Sequence, residues 1–119
     1  MIRPSQSSDP VYLYPEAVDM RKQIDGLAML VEQALELNAM DGALFVFCNR
    51  TRDKLKILTW EKNGFILYYK RIEKERFKWP GSLDDHHVEL SGEELNWLID
   101  GFDIFNNKPH QSLYYARVS

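Results

Sequence analysis

The sequence predicts an α+β domain in which an antiparallel β-meander carries two main helices packed on it. Three observations lead there. Met20, Ile24, Leu27, Ala28, Val31 and Leu35 recur at helical spacing. Two strand-like runs, residues 54–62 and 65–72, flank Asn63-Gly64, the strongest short-range signal for a tight hairpin. Ser91 and Glu94 form an S-x-x-E capping box that opens a second helix.

In chain order, residues 1–10 mix Ser, Gln, Asp and Pro and read as a flexible N-terminal arm. Residues 11–14 form a short strand that Pro15 closes. The first helix runs from Asp19, its expected N-cap, to a stop at Asn38, with Arg21, Asp25, Glu32 and Glu36 away from the apolar stripe. Asp25 is placed to pair with Arg21 at i, i+4. Gly26 costs about 1 kcal/mol relative to alanine inside a helix, so it marks the close approach of another backbone. Asp41-Gly42 turns the chain into residues 43–49, apolar on both faces and therefore a covered strand. With Asn63-Gly64 as a two-residue loop, Lys62 faces Phe65 and the register follows: Trp60 opposes Leu67, Leu58 opposes Tyr69, and Lys56 opposes Arg71. Pro80-Gly81 break the chain before a polar loop containing Asp84, Asp85, His86 and His87. The second helix continues through Leu95, Leu98 and Ile99 to Gly101. One α+β domain is expected over 11–105, followed by a C-terminal tail or edge strand over 106–119.

A length of 119 residues and a hydrophobic content of 45% fit one globular domain. Cys48 is the sole cysteine, which excludes an intrachain disulfide and points to reducing cytoplasm. Its neighbours Phe45, Val46 and Phe47 mark a buried thiol rather than a nucleophile. The N-terminus has no apolar signal core, and the apolar run at 43–48 is far shorter than the roughly 20 residues that cross a bilayer, so no membrane role is expected.

Charge is distributed unevenly. Residues 44–79 hold Arg50, Arg52, Lys54, Lys56, Lys62, Lys70, Arg71, Lys74, Arg76 and Lys78 against Asp53, Glu61, Glu73 and Glu75. That is a local balance of +6 in a chain of net charge −3, which leaves −9 elsewhere. Such asymmetry indicates an anionic partner for the basic segment, and nucleic acid is the commonest; a solvated edge whose lysines block aggregation is the plainer alternative. The opposition of Lys56 and Arg71 is a local repulsion that a bound anion relieves. Tyr68, Tyr69, Phe77 and Trp79 are aromatics able to stack on bases or to pack inside. No base-reading motif accompanies them, so backbone contact is better supported than sequence readout.

Other chemistry is weakly supported. His86 and His87 are adjacent on an extended segment and point apart, so with Asp84, Asp85 and Glu89 they make a poor metal site, and no metal or other cofactor is expected. No nucleophile elbow, phosphate-binding loop or dinucleotide fingerprint occurs. Asp19, Asp25, Asp41, Asp53 and Glu61 invite a nuclease reading, but each has a local role as cap, ion-pair partner, turn, loop or exposed strand residue.

The runs VDMRKQIDGLAMLV (18–31), DGALFVFCNRTRDKLKILTWEKNGFILYYKRIEKERFKWP (41–80) and SGEELNWLIDGFDI (91–104) together resemble the small TnpB, or Orf2-type, accessory protein of insertion sequence family sixty-six. The resemblance covers most of residues 11–105, with its motifs in order. It implies an accessory role in DNA transposition, in the bacterial cytoplasm, beside a separate transposase that carries the catalytic carboxylates. It supplies no catalytic residues, and it is distinct from the RNA-guided nucleases that share the TnpB name.

Residues and resemblance together give a non-catalytic accessory protein, not an enzyme, that touches transposon DNA through Arg50, Arg52, Lys54, Lys56, Lys70 and Arg71. The rival is an interaction module that docks on the transposase through Trp60 and Tyr69 without meeting DNA. A metal-dependent nuclease is the weaker third.

Overall fold

The computed structural model describes residues 9–80 and 88–105. It contains five strands and two helices: β1 (Val11–Ala17), α1 (Ile24–Gln33), β2 (Leu44–Cys48), β3 (Lys54–Glu61), β4 (Gly64–Arg71), β5 (Val88–Leu90) and α2 (Gly92–Ile99). The strands form one sheet in the order β4-β3-β2-β1-β5. The α+β class is as expected, and β2-β3-β4 is the antiparallel meander. The sheet as a whole is mixed, because β1 lies parallel to β2. A parallel pair needs a crossover connection, and α1 supplies it.

Alternation along the strands divides the core into two layers. Val11, Leu13, Val46, Cys48, Leu55 and Ile57 pack with Phe77, Leu95, Leu98 and Ile99, so α2 covers one face. Phe45, Phe47 and Leu58 pack with Leu27, Val31 and Leu35, so α1 covers the other. All five residues of β2 are buried, as a strand covered on both faces requires.

β1 continues through Pro15 to Ala17 rather than closing at residue 14. Its register with β2 shifts between Leu13 and Ala17, and β5 pairs only with Val11, Tyr12 and Leu13. Pro15 therefore falls where its missing N–H breaks no regular ladder.

α1 begins at Ile24, five residues after the expected cap. The Lys56 ammonium donates to Met20 O and Lys22 O, each at 2.9 Å, and so occupies carbonyls that an earlier helix would direct at its own N–H groups. Asp19 caps a turn instead, accepting the Arg21 N–H at 2.9 Å. The helix also ends early, at Gln33, where the Leu37 N–H reaches Val31 O and Glu36 adopts φ 58°. Asn38 serves the next turn by accepting the Met40 N–H, and Asp41 accepts the Ala43 N–H in the expected Asp41-Gly42 turn. Gly26 faces no foreign backbone: a Cβ there would meet Lys22 Cβ at 3.3 Å, within the same segment.

The hairpin register is displaced by two residues. Glu61 pairs with Gly64, so Lys62-Asn63 form the loop and Lys62 takes φ 58°. Trp60 consequently faces Phe65, Leu58 faces Leu67, Lys56 faces Tyr69 and Lys54 faces Arg71. The shift is even, so each side chain keeps the sheet face assigned to it.

The second helix follows expectation. Ser91 Oγ accepts the Glu94 N–H at 3.0 Å while Glu94 Oε1 accepts the Ser91 N–H at 2.9 Å, completing the capping box. Gly101, at φ 93°, ends it. The expected loop around 84–87 and the tail over 106–119 lie outside the described residues, as does the N-terminal arm before residue 9. No helix among the described residues is long and apolar enough to cross a membrane.

Candidate nucleic-acid interface

The strand ends remote from the hairpin carry most of the charge identified in the sequence, and a five-residue connection organises them. Asn49 closes the β2–β3 loop: its Oδ1 accepts the Asp53 and Lys54 N–H groups, and its Nδ2 donates to Asp53 Oδ1 at 2.7 Å and Thr51 Oγ1 at 3.0 Å. The Thr51 hydroxyl donates to the same carboxylate oxygen at 2.8 Å. Hydrogen bonds from Asn49 and Thr51, aided by Lys54, hold the Asp53 carboxyl down at about 2, so it stays ionised as the knot of the loop.

That knot sorts the loop's two arginines. Arg52, at φ 61°, turns inward and places its guanidinium 5.6 Å from the centroid of the Trp79 ring. Its carbonyl accepts the Phe77 N–H at 2.7 Å, tying the segment after β4 beneath the loop. Arg50 is exposed, and its guanidinium has no hydrogen bond or ion pair among the described residues. Beside them, the opposed cations Lys54 and Arg71 each have a carboxylate, Asp53 at 3.4 Å and Glu73 at 2.8 Å.

Two predicted contact residues are committed to the fold. Lys56 is 5% exposed, with its ammonium on the carbonyls before α1 and 5.6 Å from the Tyr69 ring centroid. Lys70 lies on the opposite sheet face, where its ammonium donates to Ile99 O at 2.8 Å and caps the carbonyl end of α2. The cations brought together are Arg50, Lys54 and Arg71, with Arg52 stacked behind them.

A fourth belongs to the group. The β1–α1 connection brings Arg21 to an open groove of about 660 Å³, lined also by Asp19, Arg50, Thr51, Lys54 and Tyr69. Arg21 pairs with Asp19, not with Asp25, through three hydrogen bonds of 2.7–3.1 Å, which lower the Asp19 carboxyl to about 2. Sequence spacing gave no signal for Arg21, because the β1–β2 parallel pairing alone brings residues 17–21 beside residues 49–51.

The aromatics separate as sharply. Tyr68, Phe77 and Trp79 belong to the core under α2, and the Trp79 indole N–H donates to Tyr14 O at 3.2 Å. Tyr69 is 54% exposed on the groove. Trp60 lies at the hairpin end, half-buried edge-on against Phe65 with centroids 5.0 Å apart, so it shares no patch with Tyr69.

A protein-family profile described as IS66 Orf2 like protein matches residues 9–109. The chain belongs to that family. Its members are accessory proteins of transposition, and the match spans both helices, all five strands and the basic groove. Two Sinorhizobium fredii relatives are similar to this Orf2-like chain over most of their length. Uncharacterized protein y4hO is 35% identical over 100 residues, 84% of this chain and 86% of the relative. Uncharacterized protein y4jC is 33% identical over 103 residues, covering 87% and 86%. No solved structure matches.

Within this Orf2-like fold three of the five carboxylates considered for catalysis are held by local partners. Asp19 holds Arg21, Asp53 knots its loop and Asp41 caps a turn. Among the described residues no group of three or more His, Cys, Asp or Glu is arranged to hold a metal ion, and Asp84, Asp85, His86 and His87 lie outside them. Cys48 is buried, and desolvation pushes its thiol up to about 11.

Proposed function

We propose that this Orf2-like protein is a non-catalytic accessory factor of transposition that binds DNA phosphates through the basic end of its sheet, with Arg50, Lys54, Arg71 and Arg21 as the contacts. The observation that carries the reading is the convergence of these four cations, from three separate chain segments, on one exposed end, with Arg50 unpaired among the described residues. The Arg21–Asp19 and Arg71–Glu73 pairs are exposed and contribute little, so a phosphate can displace those two carboxylates, while Asp53 stays in its loop beside Lys54. Lys56 and Lys70 support the surface from within and leave the list of contacts.

Titration of labelled duplex DNA, from element ends and of random sequence, across a range of salt tests this. Each phosphate neutralised contributes a slope of roughly −0.9 in log affinity against log salt. Arg50→Ala and Lys54→Ala are expected to lower both affinity and slope. Absence of binding at low salt, or indifference to both changes, defeats the reading.

The exposed Tyr69 ring favours a second reading, in which the chain docks on the transposase without meeting DNA. Co-purification with the transposase that survives high salt and is lost on Tyr69→Ala, in a chain inert toward DNA, selects it. Cleavage of plasmid with magnesium or manganese, abolished by one carboxylate change, would replace the non-catalytic assignment.

A further inference from the structure

We propose that the groove between the β1–α1 connection and β4 seats one unpaired nucleotide of DNA, its base stacked on Tyr69 and its phosphates held by Arg21, Arg50 and Lys54. This rests on the reading that the basic end meets DNA, and adds which form of DNA it takes.

The groove is built in two zones. Val18 and Met20 contribute apolar surface, while Arg21, Arg50 and Lys54 line the groove with the carboxylate of Asp19, and Lys54 also meets Asp53 at 3.4 Å. A ligand that matches both zones carries a flat apolar body and at least one phosphate, which describes a nucleotide. The volume of about 660 Å³ lies in the range of roughly 300–1,000 Å³ usual for small-ligand sites.

Tyr69 is the aromatic left for such a role, since Tyr68, Phe77 and Trp79 are taken up by the core. The Lys56 ammonium lies 5.6 Å from its ring centroid and is itself held by two main-chain carbonyls, so the ring rests against a fixed support and is still 54% exposed. One side of the ring meets the buried ammonium, and more than half of the residue stays open to solvent. The ring is a stacking platform.

Duplex DNA presents only its phosphates to a concave site of this kind, because its bases are enclosed in their own stack. An unpaired strand presents phosphates and a base face together, so it gains the Tyr69 contact that a duplex lacks. A preference for the single strand follows, even though a duplex of the same length carries about twice the phosphate charge.

The test compares a short fluorescein-labelled oligothymidylate with a random-sequence duplex of the same length, titrated with the full chain at fixed salt. The single strand is expected to bind more tightly. Tyr69→Ala is expected to weaken single-strand binding by roughly 5- to 100-fold while changing duplex binding less than about 2-fold. Tyr69→Phe, which keeps the ring, restores the preference, and Arg50→Ala weakens both forms. Urea unfolding of each variant separates lost binding from lost folding. Equal affinity for the two forms, or a single-strand affinity indifferent to Tyr69→Ala, overturns the nucleotide seat and leaves duplex binding standing. A native chain that binds neither form overturns both.

Discussion

Lys56 is 5% exposed, yet its ammonium is held by two carbonyl oxygens and an aromatic ring rather than by a carboxylate. Removing the amine leaves Met20 O and Lys22 O without their donor at the foot of α1. Losing two part-buried hydrogen bonds from a charged donor costs about 1–3 kcal/mol. Lys56→Met, which retains the aliphatic stem, is accordingly expected to destabilise by that amount in urea denaturation, whereas Arg50→Ala leaves stability unchanged within about 0.5 kcal/mol. An equal effect of the two changes would refute the division into a supporting and a contacting cation. Asp53 makes the complementary prediction in pH. Its folded carboxyl, held at about 2, lies below an unfolded value near 3.9, so its contribution to stability is present above about pH 4 and disappears as pH falls toward 2. The melting-temperature difference between the native chain and Asp53→Asn is expected to shrink across that interval, and a difference that stays constant from pH 5 to pH 2 contradicts the assignment. The Lys56 role was not legible in the sequence, because a lysine among lysines has no mark of burial and its partners lie more than thirty residues away. Asp53, by contrast, could be read as a loop residue, its partners Asn49 and Thr51 lying within four residues.

At the scale of the element, the β3–β4 hairpin shows how a strong local signal is displaced by a longer-range one. Asn63-Gly64 is the favoured loop by turn chemistry, yet the chain turns at Lys62-Asn63. The observed register sets Trp60 against Phe65 edge-on and Leu58 against Leu67 on the α1 face, so packing and turn preference oppose each other. The turn carries the strain, with Lys62 in the left-handed region at φ 58°. Lys62→Gly relieves it and is expected to stabilise by about 0.5–1 kcal/mol, part of the gain being offset by the greater freedom of glycine when unfolded. A lower melting temperature for that variant would show that Lys62 is not strained. The termini of α1 teach the same lesson: periodicity identified the stripe of Ile24, Leu27, Ala28 and Val31, but the ends were set by Lys56 and by the turn at Glu36. The α2 start, by contrast, was readable, because a capping box is satisfied within four consecutive residues.

Across the whole molecule, strand direction converts a charge pattern in sequence into a polarity in space. Lys54 and Glu61 end the same strand about 23 Å apart at the rise of an extended chain, more than two Debye lengths at 0.1 M salt. Charges at the hairpin are thus screened from a ligand at the basic end. Lys62→Gly and Arg50→Ala each remove one positive charge, but only Arg50→Ala is expected to weaken DNA binding, with Lys62→Gly remaining within about 2-fold in the same titration. Equal losses would mean that net charge, not the groove, governs binding. The sequence by itself determined what is local: the α+β class, the covered β2 strand, the α2 cap, the basic excess of residues 44–79 and the motifs that resemble the Orf2-type family. Only the tertiary structure decided the parallel β1–β2 pairing, the placing of α1 and α2 on opposite faces, the withdrawal of Lys56 and Lys70 into the scaffold, and the meeting of Arg21 with Arg50 and Lys54 around Tyr69. The physical reason is that periodicity and capping are satisfied by near neighbours, whereas a sheet crossover and a buried ammonium are satisfied by partners tens of residues away, whose positions only packing defines.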